Sequence, residues 1–190
     1  MQAKPLKTIA LVGMMGSGKT AVGTALARML DIPFVDSDQA LVAAADRSIA
    51  EIFERDGEAF FRTKERQVIT RLLTGPPCVL STGGGAFLGE QTRAEIKRNA
   101  VSVFLDAELE LLWSRVRHKT TRPLLMTERP KATLTELMRA RAPVYALADL
   151  AVKADPAYQI EDMARAVLQA LQEVPGLWDT PDAGLEETKQ

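Results

Sequence analysis

Residues Gly13-Met14-Met15-Gly16-Ser17-Gly18-Lys19-Thr20 match the pattern G-x-x-x-x-G-K-[ST] in full, and the chemistry of that pattern is phosphate binding. In such a loop the backbone N–H groups turn inward around a nucleotide triphosphate. The Lys19 ammonium reaches the β and γ oxygens, and the Thr20 hydroxyl ligates Mg2+. A helix starting at the end of the loop adds the positive end of its dipole to the same cradle. The flanks suit this reading: Thr8-Ile9-Ala10-Leu11-Val12 is a β-rich run, and Ala21, Val22, Ala25, Leu26, Met29 and Leu30 recur at helical spacing. A glycine-rich turn without a ligand is the alternative, and the strand and helix signals on either side weigh against it.

Other residue groups add to this chemistry. Val35-Asp36-Ser37-Asp38 carries two carboxylates two residues apart. At the C-terminal end of a parallel strand, where open α/β sheets bind ligands, one carboxylate can position Mg2+ directly or through its waters. The other can accept a hydrogen bond from an attacking hydroxyl. Either aspartate could equally cap a helix expected over Gln39 to Ala45. Ser81-Thr82-Gly83-Gly84-Gly85 follows the apolar Cys78-Val79-Leu80. Three successive glycines are costly in backbone entropy and suit a close approach of another group to the backbone, or else a flexible turn. Arg122-Pro123-Leu124-Leu125 lies in the basic segment Arg115 to Arg129, which reads as a loop able to close over phosphates, or as a solvated charged loop. Arg62, on a helix expected to begin near Glu58, and Arg141, in Arg141-Ala142-Pro143-Val144-Tyr145, are each ordinary surface arginines when taken alone. Together with the glycines they gain weight, because guanidinium groups match a carboxylate bidentately.

These groups need a sheet to hold them. Strand-like runs at Thr8 to Val12, Phe34 to Asp36, Val79 to Ser81, Val101 to Leu105 and Leu150 to Val152 alternate with helical patterns. That alternation predicts an α/β domain with a mostly parallel sheet covered on both faces. Capping boxes are expected at Ser48 to Glu51 and Thr133 to Glu136, N-caps at Asp106 and at Asp155 before Pro156, and helix ends at Gly57 and Gly75. A single domain over residues 1–172 is expected from the 46% hydrophobic content of the 190 residues. Residues 173–190, with five acids against one lysine and no periodicity, read as a disordered acidic tail. The 24 basic and 25 acidic residues nearly cancel, which argues against a nucleic-acid or anionic-membrane partner. With one cysteine and one histidine there is no internal disulfide and no Cys/His metal constellation to propose; Cys78 is expected to be buried. No apolar stretch reaches signal-peptide or membrane-span length, and a cytoplasmic location is expected.

Taken in order, Gly13 to Thr20, Asp36-Ser37-Asp38, Phe61-Arg62, Gly83-Gly84-Gly85, Arg122 to Leu125 and Arg141 to Tyr145 closely resemble shikimate kinase, over about residues 6–170. The resemblance implies a P-loop three-layer sandwich with five parallel strands in order 2-3-1-4-5. It also implies a substrate-binding helical region at about residues 37–65 and a mobile lid at about 115–129. The implied activity is transfer of the γ-phosphate of ATP to the 3-hydroxyl of shikimate, with Mg2+, by a monomer, in chorismate and aromatic amino-acid synthesis. By the same resemblance Asp38 binds the acceptor hydroxyls and acts as a base-like group, while Asp36 helps hold Mg2+ beside Thr20. Arg62 and Arg141 would grip the acceptor carboxylate, with backbone contacts from Gly83, Gly84 and Gly85. Phe53 and Phe61 would wall the pocket, a role as core packing being equally compatible. Arg115 would stack on adenine and Arg122 would descend onto the phosphates. Ala21 departs from the pattern, since many members carry a second Ser or Thr there. The nearest enzyme alternative is gluconate kinase; a nucleotide-binding switch is an alternative of another class, and the presence of Asp38 and Arg122 argues against it.

Overall fold

The computed structural model describes residues 4–118 and 123–179. Five strands, β1 (Thr8–Val12), β2 (Phe34–Asp36), β3 (Val79–Ser81), β4 (Ala100–Asp106) and β5 (Leu150–Lys153), form one parallel sheet in the order β2-β3-β1-β4-β5. Every residue of β1 is buried, as its unbroken apolar run requires of a strand covered on both faces. Among the described residues seven α-helices connect and cover the strands: α1 (Lys19–Leu30), α2 (Ser37–Ala45), α3 (Ile49–Leu73), α4 (Glu90–Asn99), α5 (Leu109–Val116), α6 (Pro130–Tyr145) and α7 (Ile160–Gln172). Right-handed crossovers put α1 on one face and the helices leading from β2 to β5 on the other. The packing agrees: α1 lies against α7, α3 against α4, and α5 against α6.

The register decides where the loops emerge. Leu11 pairs with Ser81 and Ser81 with Asp36, while Val12 pairs with Phe104. The C-terminal ends of β1, β2 and β3 therefore lie side by side, and the chain leaves all three at one edge of the sheet. A second, smaller apolar cluster of Leu41, Ile52, Phe61 and Val68 joins α2 to α3 away from the main core. Within α3, Gly57 has φ 80° and ψ 171°, which breaks the helix in two and redirects the part that carries Arg62.

Local signals were read correctly at some ends and not at others. The Ser48 to Glu51 capping box is present, and Gly75 follows the end of α3. The Thr133 to Glu136 box is not, because Pro130 at the first position starts α6 earlier and leaves Thr133 inside the helix, where its hydroxyl donates to Arg129 O. Asp106 belongs to β4 rather than capping α5, and Asp155 accepts from Ala157 N in a turn while Gln159 and Asp162 cap α7. The tail expectation also fails for its first part: Leu177 is only 1% exposed, Trp178 Nε1 donates to Leu171 O at 2.9 Å, and Pro5 bridges to Trp178. Two bulky apolar side chains found a groove there, which outweighs the acidic composition around them. Residues 180–190 lie outside the described residues. Leu177→Ala is expected to lower stability by about 2–4 kcal/mol in urea unfolding, where a solvated tail residue would give close to zero.

Candidate active site

The phosphate loop is built by positive-φ glycines and by α1. At Gly16, with φ 82°, an added Cβ would lie 2.6 Å from Val116 Cγ1, so the turn and its packing on α5 both require glycine. Gly18, also at positive φ, is the N-cap from which α1 begins at Lys19. Lys19 Nζ donates to Gly13 O at 2.8 Å and to Met14 O at 3.0 Å, which keeps the ammonium inside the loop. The side chains of Met14, Met15 and Ser17 are buried, so these positions offer a ligand their backbone.

Across from the loop, Thr20 Oγ1 donates to Asp36 Oδ2 at 3.3 Å. The other oxygen, Asp36 Oδ1, accepts from the N–H groups of Asp38 (3.0 Å) and Gln39 (3.3 Å) and caps α2, which therefore starts at Ser37. Asp36 is thus a helix cap whose second oxygen stays beside Thr20. The two hard oxygens beside a phosphate loop fit Mg2+, which keeps several waters and needs few protein ligands. No cluster of three or more His, Cys, Asp and Glu side chains able to hold a metal occurs among the described residues, so an ion at this pair would retain most of its water.

Arg115 lies in the last turn of α5, not in a loop, and from there it donates to Gly16 O (3.2 Å) and Ser17 O (3.3 Å). A cavity of about 1060 Å³ extends from Arg115 and Tyr158 along the phosphate loop to Asp38, Gly83 and Gly84. Asp38, in the first turn of α2, faces that cavity.

Beyond Asp38 the glycine loop is walled by charge. A Cβ on Gly83 would fall 2.6 Å from Asp38 Oδ1 and 2.8 Å from Glu65 Oε1, and one on Gly85 would fall 2.5 Å from Arg62. Close approach is thus the reason for glycine at both positions. Arg62 donates to Glu65 Oε2 at 2.8 Å and to Glu58 Oε1 at 3.3 Å, and its guanidinium lies 5.1 Å over the Phe61 ring. Phe61 is buried in the small cluster and pairs with the 37% exposed Phe53 at 4.6 Å, so Phe61 is a platform under Arg62 and part of the core. Neither ring lines the large cavity. Arg141, on α6, acts on the Tyr145 hydroxyl, which in turn donates to Gly84 O. Arg62 therefore stands at the glycine loop itself, while Arg141 acts on that loop only through Tyr145. Arg122 lies outside the described residues.

Burial pushes the Glu65 carboxyl above its ordinary value; the hydrogen bond and charge of Arg62 oppose the shift, and the nearby Asp38 and Glu58 add to it. Arg62 moves up despite the burial that disfavours its charge, because Glu65 and Glu58 favour the cation. Glu65 was missed in the sequence, although an acid three residues after Arg62 on one helix face was a usable signal. Ser37, whose Oγ accepts from Gly83 N at 3.0 Å, and the cavity residues Ala154, Asp155, Tyr158 and Gln159 left no such signal.

The comparisons follow this geometry. A model of the shikimate kinase family matches residues 15–172. The chain is 57% identical over 182 residues to the shikimate kinase of Cereibacter sphaeroides, covering 96% of this chain and 91% of that one. It is 60% identical over 165 residues to that of Ruegeria pomeroyi, covering 87% and 85%. Among solved structures, shikimate kinase from Acinetobacter baumannii in complex with shikimate superposes with a TM-score of 0.83 at 36% identity, covering 88% of this chain and 93% of that one. A gluconokinase from Sinorhizobium meliloti shares the fold, at a TM-score of 0.58 and 21% identity, covering 89% and 93%. With its phosphate loop, aspartate pair and glycine loop meeting at one sheet edge, and with relatives of this similarity along nearly its full length, the chain belongs to the shikimate kinase family.

Proposed function

We propose that this protein transfers the γ-phosphate of ATP to the 3-hydroxyl of shikimate, giving shikimate 3-phosphate and ADP. The observation that carries the proposal is the meeting of Asp38 and Arg62 at Gly83 to Gly85, next to a phosphate loop. A small ring bearing a carboxylate and hydroxyls offers a charge for the arginines and a hydrogen-bond donor for the aspartate. A gluconate-like acceptor also carries both groups, but the ordered Asp36-Ser37-Asp38, triple glycine and Arg141-Ala142-Pro143 set favours shikimate. The resemblance also implies a monomer, and the single cysteine suits a cytoplasmic enzyme.

Each residue then has a physical task. Asp38 accepts the hydrogen bond of the 3-hydroxyl, aims its oxygen at the γ-phosphorus and takes up the proton as the new O–P bond forms and the bond to ADP breaks. The transition state of phosphoryl transfer is loose, so positioning and neutralisation of charge outweigh base strength. Lys19 and the loop N–H groups neutralise the β and γ oxygens, and Arg122, from the lid segment, adds charge at the transferred group. Mg2+ held by Thr20 and Asp36 supplies further neutralisation of the phosphates when bound. Arg115 covers the base end of the nucleotide, and Arg62 and Arg141 hold the carboxylate. Glu65 keeps Arg62 turned toward Gly85.

Asp38→Asn is expected to lower kcat by about 10²–10⁴-fold with little change in KM for ATP; steady-state ADP release with shikimate measures it, and turnover within threefold of wild type removes Asp38 from this role. Thr20→Ala should raise the Mg2+ concentration needed for half-maximal ATP binding while metal-free ATP binding stays as it was, read by titration calorimetry. The pH dependence follows from Glu65. A raised carboxyl pKa means that protonation favours the fold: this contribution is full below 4.5 and is lost as pH rises through the folded value. The same protonation takes away the partner of Arg62, so KM for shikimate should rise as pH falls, beginning above the usual glutamate range. Glu65→Gln should show a raised KM without that acid limb, measured from pH 5 to 8.

A further inference from the structure

Tyr145 is fully buried at the end of α6, with its ring stacked on Phe104 at 5.5 Å, and the reaction as derived gives it no task. Its hydroxyl nevertheless stands between two parts of the acceptor site. On one side the charge of Arg141 acts on the phenol, and on the other the hydroxyl donates to Gly84 O. Burial raises the pKa of this phenol and Arg141 draws it back, so it remains a protonated donor at neutral pH.

The backbone of the glycine loop shows what that bond controls. Ala86 N donates to Gly83 O at 3.0 Å and Leu88 N to Gly85 O at 3.1 Å, while Gly83 N is satisfied by Ser37 Oγ at 3.0 Å. The closed turn from Gly83 to Ala86 uses neither of its two central N–H groups. Those of Gly84 and Gly85 donate to no acceptor among the described residues, and both glycines are only half-buried, so a bound group can reach them. Gly84 C=O and Gly85 N–H belong to one planar trans peptide unit, so they point in opposite directions. Two glycines flank that unit, and without Cβ atoms it is free to rotate unless something holds it. The Tyr145 hydroxyl holds the carbonyl end, which turns the Gly85 N–H away from Tyr145, and the guanidinium of Arg62 lies against Gly85.

We propose that Tyr145 is a positioning residue for the acceptor: its hydroxyl fixes the Gly84–Gly85 peptide, so that the Gly85 N–H and the guanidinium of Arg62 are presented together to the carboxylate of shikimate. This rests on the reading of Arg62 and Arg141 as the carboxylate grip. It also links α6, the helix that follows the lid segment, to the loop after β3, so that the last turn of α6 and the acceptor site keep one geometry.

The test is Tyr145→Phe, which retains the ring and its stacking on Phe104 and removes only the hydroxyl. Expected is an increase of about 5- to 30-fold in KM for shikimate, the scale of one or two lost hydrogen bonds, with kcat at saturating shikimate within about threefold of wild type and KM for ATP unchanged. Thermal unfolding and ATP binding by calorimetry report whether the variant is folded. A purely structural role would move KM for ATP and kcat along with KM for shikimate, and either that pattern or a shikimate KM within twofold of wild type overturns the proposal. Arg62→Lys and Arg141→Lys separate the two layers. If both raise KM for shikimate strongly while Tyr145→Phe does not, only the role of Tyr145 falls; if neither does, the carboxylate grip falls and the proposal with it.

Discussion

The site depends on one strand being shared. β3 pairs with β1 on one side and β2 on the other, so that Ser81 is the partner of both Leu11 and Asp36. Backbone hydrogen bonding, which is geometrically strict, thereby brings the start of the phosphate loop, the aspartate pair and the glycine loop to adjacent points on a single edge. A slip of one residue in either pairing would turn the Asp36 side chain toward the opposite face of the sheet and separate it from Thr20. Burial protects against this. Ile9, Leu11, Val79 and Leu80 are completely enclosed, and any shift would break their close packing.

On that frame the charges are arranged by sign. At the phosphate loop the charges are positive: Lys19 and Arg115 are both hydrogen-bonded to its carbonyls. The acceptor end alternates acids and cations: Asp38 and Glu65 crowd Gly83, while Arg62 crowds Gly85. Glu65 is almost completely buried, and an ionised carboxylate in that position is tolerable only because Arg62 lies 2.8 Å away. The pair contributes less to stability than to direction, since it spends a desolvated acid on holding one guanidinium in place. The Phe61 ring beneath the guanidinium ties this arrangement to the small core between α2 and α3.

Much of this was legible in the chain. The phosphate loop, the strands that end beside it and the acid pair are local patterns, and local patterns survive because neighbouring residues dictate them. Helix starts were less secure. Pro130 overrode the capping signal at Thr133, and Asp155 closed a turn instead of opening α7, because a cap residue satisfies whichever N–H groups the tertiary path brings near it. The apolar pair Leu177 and Trp178 was hidden by the acids and glycines around it, since composition averages over the few side chains that find a groove.

The order of residues alone determined the chemistry available: a triphosphate cradle, two aspartates, three glycines and a set of arginines whose sequence identifies the family. It also determined the alternation of strands and helices, because hydrophobic period is a property of neighbours. Only the tertiary structure decided which groups work together. Tyr145 became the anchor of the Gly84 carbonyl and Arg115 a helical arm over the phosphate loop. Contacts of this kind join residues up to 99 positions apart in the chain, and they follow from strand order and helix crossing, which no short window of sequence contains.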